Sequence, residues 1–286
     1  MPDTKMKRGD KSAFDKNWKN RSEANYIHWV KGEPENQVQL AFRNHWNLFQ
    51  EIIKGRVCGK RVLEVGCGRG SMSAYFAETG YECTLLDSSE TVIETARKIF
   101  EYHGFNAVFD VGDALSLPYG DESFDIVVSI GLLEHFKDIV TPLSEQVRVL
   151  DQGGLFLGYV VPKYDDNVQK NYNWINDLLK SIVEQNNIYS PIQKEDVFRS
   201  DTGSARYVDV LKDLPVCDIQ VSGVYPLPMI SHSIEFPFTL LNDQCEQILV
   251  KHFQQVLEER RTESGKNPWL CKEGYGQAFL VWCFKE

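Results

Sequence analysis

Residues 62–70, VLEVGCGRG, constrain the fold of this chain more than any other stretch. An apolar, β-branched run stops at three glycines spaced two apart, Gly66, Gly68 and Gly70, and a helix-forming segment opens at about Ser71. Glycine adopts positive φ without a Cβ penalty and lets a ligand touch the backbone. The first turn of the helix that follows leaves its N–H groups without intrahelical partners. A strand, a glycine turn and a helix in that order make the ligand-binding corner of an open α/β sheet. A glycine-rich turn alone is not specific, so its context decides.

The context is a βα rhythm. Residues 61–66, 82–87, 107–111, 124–130 and 154–161 read as short apolar strands, and helical segments separate them. SMSAYFAETG stops at Gly80, SSETVIETARKIFEYHG runs from the capping candidates Ser88 and Ser89 to Gly104, and TPLSEQVRVLDQGG ends at Gly153. Strands alternating with helices predict a parallel sheet of right-handed βαβ units. Strands as apolar as FDIVVSI and LFLGYVV predict helices on both faces. Beyond residue 162 the spacing predicts a helix in NYNWINDLLKSIVEQ, a helix in YVDVLKDL, a strand in CDIQVSGVY, a long helix in NDQCEQILVKHFQQVLEERR and a last strand in GQAFLVWCFK. Upstream, residues 35–53 predict an amphipathic helix with Pro34 at its first turn and Val38, Phe42, His45, Trp46, Phe49 and Ile53 on one face. The expected organisation is an N-terminal helical cap over residues 1–56 and a core over 57–286, with cover inserts at about 163–203 and 226–272.

Of the 286 residues, 42% are hydrophobic and 25% charged, as in an ordinary globular protein. The net charge of −10 disfavours a nucleic-acid backbone or an anionic membrane as the main partner. No apolar run is long enough to cross a bilayer, and the polar first twenty residues have no signal-like core. The seven cysteines form no CxxC pair, which fits a reducing cytoplasm and neither disulfides nor a structural zinc site.

Two acids give the glycine turn a direction. Asp87 ends the second strand, 17 residues after Gly70, where a carboxylate accepts both hydroxyls of a ribose. Asp113, in VGDALSLP, follows the third strand, where a carboxylate accepts from an exocyclic adenine amine. With SIGLLEHF at the end of the fourth strand, every element sits at a strand's carboxyl tip. The glycine spacing is G-x-G-x-G, not the G-x-G-x-x-G of dinucleotide binders. The set resembles the class I S-adenosylmethionine-dependent methyltransferases, small-molecule branch. VLEVGCGRG is similar to their first motif, LLD at Asp87 to the ribose-binding acid, GDA to the adenine motif, and LPYGDESFDIVVSIGLLEHF to the fourth-strand region. The resemblance is close over residues 57–162 and loose to the final strand, which in that family is antiparallel.

The resemblance implies a Rossmann-like, mostly parallel sheet with an antiparallel C-terminal strand, helices on both faces, and a cap and insertions over the active site. It implies S-adenosyl-L-methionine as cofactor. Gly66, Cys67 and Gly68 would approach its methionine part, Asp87 the ribose, Ser88 the adenine edge, and Asp113 and Ala114 the adenine. Ile130 would bring backbone near the sulfonium, and Glu64 would orient the glycine turn or reach the amino group through water. Glu134 and His135, next to the methyl group, are the catalytic candidates; a histidine titrates near neutrality. The competing reading of that pair is capping or packing. Tyr26 and Trp29, in an N-terminal segment that holds half of the six tryptophans, are the candidate substrate-binding lid residues, since aromatic faces attract a sulfonium or an ammonium. Arg43 reads as a carboxylate ligand or a solvated helix face. The sulfonium is already a good leaving group, so alignment and a dry pocket suffice and no metal is called for. The expected acceptor is a small molecule, taking methyl on N, O, S or C. A protein or peptide methyltransferase, a non-catalytic cofactor-binding scaffold subunit and a nicotinamide dehydrogenase are the alternatives. The oligomeric state is not legible.

Overall fold

The computed structural model describes residues 28–163, 197–224, 243–276 and 278–286. Tyr26 and most of the expected insert at 163–203 lie outside them. Eight strands form one sheet: β1 (Arg61–Val65), β2 (Glu82–Asp87), β3 (Ala107–Val111), β4 (Phe124–Ile130), β5 (Leu150–Val160), β6 (Val216–Val224), β7 (Leu270–Cys271) and β8 (Ala278–Lys285). Their order is β3-β2-β1-β4-β5-β8-β6-β7. Strands β1 to β5 pair in parallel, and β8 enters antiparallel between β5 and β6. Neighbours β1 and β4 lead their connections in opposite directions. They form the switch point where open α/β sheets bind ligands.

Six helices are described: α1 (Gln37–Ile53), α2 (Ser71–Glu78), α3 (Glu90–His103), α4 (Val140–Arg148), α5 (Ala205–Lys212) and α6 (Asp243–Ser264). Two apolar cores lie on opposite faces of the sheet. One packs α1, α2, α3 and α6 on Val62, Val128, Leu155 and Leu157, and the other packs α4 and α5 on Leu63, Val127, Phe156 and Val281. Alternate residues of the same strands thus serve both cores, which is why those strands read as unbroken apolar runs. Among the described residues, no helix is long and apolar enough to cross a membrane.

Helix α1 begins two residues later than its periodicity predicts. Asn36 caps it, its side chain accepting from the N–H groups of Val38 and Gln39. The helix is buried on more than the expected face: Leu40 and Leu48 are enclosed as well. The buried Glu246 of α6 accepts from the Gln37 backbone and side-chain amides, each at 2.9 Å. A carboxylate there meets the positive end of the α1 dipole and ties the two helices together.

The junction from β1 to α2 fixes the ligand corner. Gly66, Gly68 and Gly70 have φ of +70°, +53° and +73°. A Cβ on Gly70 would meet Leu85 at 2.5 Å and Phe100 at 2.8 Å. Beneath the turn, Glu64, only 3% exposed, accepts from the Ser73 amide and hydroxyl. Burial pushes the Glu64 carboxyl up to about 7 against those bonds. Gly70→Ala is expected to cost roughly 2–4 kcal/mol, a left-handed alanine plus overpacking. Urea unfolding checks it, and a loss below about 0.5 kcal/mol, the size of an ordinary surface change, would mean that the turn relaxes freely. A carboxyl with a raised native pKa stabilises the fold fully below its unfolded pKa and loses that contribution as pH rises towards 7. Glu64→Gln keeps the acceptor oxygen, so the fall in stability from pH 5 to 7.5 should shrink by roughly 2–3 kcal/mol relative to wild type. An unchanged fall would refute the shifted carboxyl.

Candidate functional site

The carboxyl tips of β1, β2, β3 and β4 converge on one crevice. The N–H groups of Gly66 and Cys67 both donate to the Leu86 carbonyl, at 2.8 and 3.0 Å, so the glycine turn is held against β2. Asp87, one residue on, splits its carboxylate. Oδ2 accepts from the Gly68 N–H at 3.2 Å and Oδ1 from the Ser89 N–H at 3.0 Å. Asp87 thus braces the glycine turn and the entry of α3, with half-buried Ser88 between its two anchors. The Ser89 side chain occupies the cap position of α3 without making a cap bond.

The next tip is coupled to this one. The Gly112 N–H donates to the Asp87 carbonyl at 2.9 Å, and Asp113 closes a turn by accepting from Leu115 N–H at Oδ1. Ala114 is buried beneath that turn in the second core. The two acids thereby stand on neighbouring, mutually bonded strand ends. Burial raises the Cys67 thiol well above its ordinary range, so it is a packing group rather than a nucleophile.

Ile130 ends β4 in register with Tyr159 of β5, and the N–H of Gly131 donates to the Tyr159 carbonyl at 2.9 Å. A 3-10 turn, Leu133–His135, follows. Glu134 is 2% exposed, burial pushes its carboxyl up to about 7, and Arg199 opposes that shift. Segment 197–200 docks on this turn: Ser200 N–H donates to the Glu134 carbonyl, and His135 Nδ1 lies 2.7 Å from the Phe198 carbonyl. Desolvation pushes His135 down to about 4, so its imidazole is neutral at pH 7 and Nδ1 carries the proton donated to Phe198. Glu134 and His135 therefore follow the tip of β4 and also seat segment 197–200.

The structure does not bring Trp29 to the crevice. Its indole N–H donates to Glu78 at 3.0 Å and its ring meets His103 and Phe105 edge-on. Those partners lie at the far ends of α2 and α3, away from the strand tips. A large apolar ring finds more burial between two helix ends than over a solvated mouth. Arg43 is half-buried, and its guanidinium donates to the carbonyls of Val30 and Gly32. Arg199 and Tyr159 were missed at the sequence level. Arg199 stands in a polar stretch without periodicity, and only the docking of 197–200 brings it to Glu134. Among the described residues, no three His, Cys, Asp or Glu side chains gather as a metal-ion set.

Residues 63–158 match the family model described as a methyltransferase domain. The YcgJ protein of Bacillus subtilis, an uncharacterised methyltransferase, is 37% identical over 34% of this chain and 39% of its own length. Its crystal structure superposes with a TM-score of 0.52 at 21% identity, over 85% of this chain and 99% of that one, a likeness of fold. Norajmaline N-methyltransferase of Rauvolfia serpentina is 36% identical over 33% of each chain. Phthiotriol/phenolphthiotriol dimycocerosates methyltransferase of Mycobacterium tuberculosis is 36% identical over 40% of this chain and 43% of its own. This chain thus spans well under half the length of these relatives by sequence. Motif by motif along the same strand tips, residues 63–158 are thus similar to a methyltransferase domain, and the chain shares its fold with a methyltransferase.

Proposed function

We propose that this protein transfers the methyl group of S-adenosylmethionine to a nucleophilic atom of a small-molecule acceptor. One observation carries the reading: a glycine turn in left-handed conformation, two carboxylates on neighbouring strand ends and the tip of β4 all open on one crevice at the switch point. The donor set fits the cofactor. Asp87 suits a ribose diol, Asp113 and Ala114 an adenine edge beside Ser88, and the backbone of Gly66, Cys67 and Gly68 an amino-acid tail. Glu64 works from below, through the Ser73 bonds that hold the start of α2. When bound, the cofactor supplies an electrophilic methyl group on a sulfonium, so alignment is the main task left to the protein.

The methyl group would face Ile130, with Glu134 and His135 beside it. A neutral imidazole held by the Phe198 carbonyl is suited to orienting an acceptor and, where the acceptor bears a proton, to receiving it. One feature favours a small acceptor. Two of the relatives carry alkaloid and lipid acceptors in their names.

Isothermal titration with S-adenosylhomocysteine, with NAD as control, tests the cofactor site. Binding of the former alone is expected. Asp87→Ala should weaken it by about 1.5–3 kcal/mol, the range for a hydrogen bond to a charged acceptor. Unchanged affinity would displace the ribose assignment. His135→Ala should leave turnover measurable if alignment dominates; complete loss with cofactor binding intact would make His135 essential.

A further inference from the structure

Four rings stand in a row that ends at Tyr159, near the carboxyl end of β5. His28 packs on Phe42 with centroids 4.4 Å apart, Phe42 on His45 at 5.7 Å, and His45 on Tyr159 at 4.4 Å. One end of the row is fixed at the glycine turn, because the His28 backbone N–H donates to the hydroxyl of Ser71, the first residue of α2. The other end is Tyr159, in register with Ile130 at the tip of β4. The row therefore spans from the start of α2 to the point that the methyl group would face.

The third ring is built differently from the others. Behind it the fully buried Trp269 donates its indole N–H to His45 Nδ1 at 3.0 Å. An indole nitrogen only donates, so Nδ1 is an acceptor and the imidazole proton sits on Nε2, at the opposite edge of the ring. Protonating Nδ1 would set two N–H groups against each other. Burial works in the same direction and holds the imidazole neutral. His45 is 5% exposed, and among the described residues nothing accepts from Nε2. Nε2–H is thus a fixed N–H donor among aromatic rings.

We infer that His45 Nε2–H is a binding group for the acceptor, and that the acceptor is an uncharged, apolar molecule bearing a hydroxyl or carbonyl oxygen. Its flat or extended apolar part lies on the rings of Phe42 and Tyr159 while its oxygen accepts from His45. A cationic head is disfavoured, since it would meet the positive end of the N–H dipole. An N–H donor is matched by an oxygen acceptor, which makes oxygen-bearing ligands the preferred occupants. The inference rests on the reading of this crevice as a methyl-transfer site.

The test uses 2-naphthol as the uncharged oxygen probe and 2-naphthylmethylammonium as its cationic counterpart. Each is titrated calorimetrically into the full-length protein, with and without saturating S-adenosylhomocysteine. Naphthol should bind at least about tenfold more tightly than the ammonium, the tenfold corresponding to one missing hydrogen bond. His45→Phe keeps a ring but removes the donor, and should weaken naphthol by about tenfold while leaving the ammonium and S-adenosylhomocysteine unchanged. His45→Gln restores an N–H and should recover most of the loss. Naphthol that fails to bind, or binds wild type and His45→Phe equally, overturns the inference. Should His45→Phe not fold, ¹⁵N spectra of histidine-labelled wild type decide. They should show the Nε2–H tautomer and a shift of that nitrogen on adding naphthol, and its absence overturns the inference. Loss of S-adenosylhomocysteine binding alone would strike the cofactor reading instead, leaving the naphthol titration without cofactor to report on His45.

Discussion

Everything at the ligand corner depends on one carbonyl. Leu86 accepts from both Gly66 and Cys67, and this shared bond holds the end of β1 against the end of β2. It sets the glycine turn directly over β2, which lets Asp87 reach the Gly68 N–H. From there the chain of bonds continues through the Asp87 carbonyl to Gly112 and the Asp113 turn. The turn is shaped before any ligand arrives, because left-handed glycines and backbone bonds define it. A preorganised cradle spends little binding free energy on ordering itself.

Much of this was legible in the residues. Three glycines after an apolar run, with acids at the ends of the next two strands, admit few arrangements other than the one observed. The strand runs were legible because burial on both faces erases alternation. What was not legible depended on partners remote in sequence. Trp29 looked like a lid because aromatic residues cluster around it, yet its burial is decided by Glu78, His103 and Phe105. Arg43 looked solvated because nothing in the helical period marks the carbonyls of Val30 and Gly32 as its targets. The start of α1 was misplaced by two residues because proline at a first turn is a weaker signal than an asparagine whose side chain accepts two N–H groups.

Helix α1 is anchored by residues far apart in the chain. Glu246 holds the start of α1 to α6, and Trp269, just beyond α6, holds the tautomer of His45 in the middle of α1. Asn267 bonds Glu51 near the other end of the same helix. Three contacts along one helix fix its height and rotation, so the rings it carries keep a defined distance from the strand tips.

The position of β8 has a consequence for how the molecule comes into being. It follows β6, β7 and α6 in the chain yet lies between β5 and β6. While the polypeptide emerges from the ribosome, β1 to β5 are able to pair as soon as they are exposed, whereas β6 has no neighbour on its inner side until β8 arrives. The parallel half of the sheet, which carries the glycine turn and the two acids, is therefore free to form during synthesis. The antiparallel half must wait, through a long-range pairing that is slow to find.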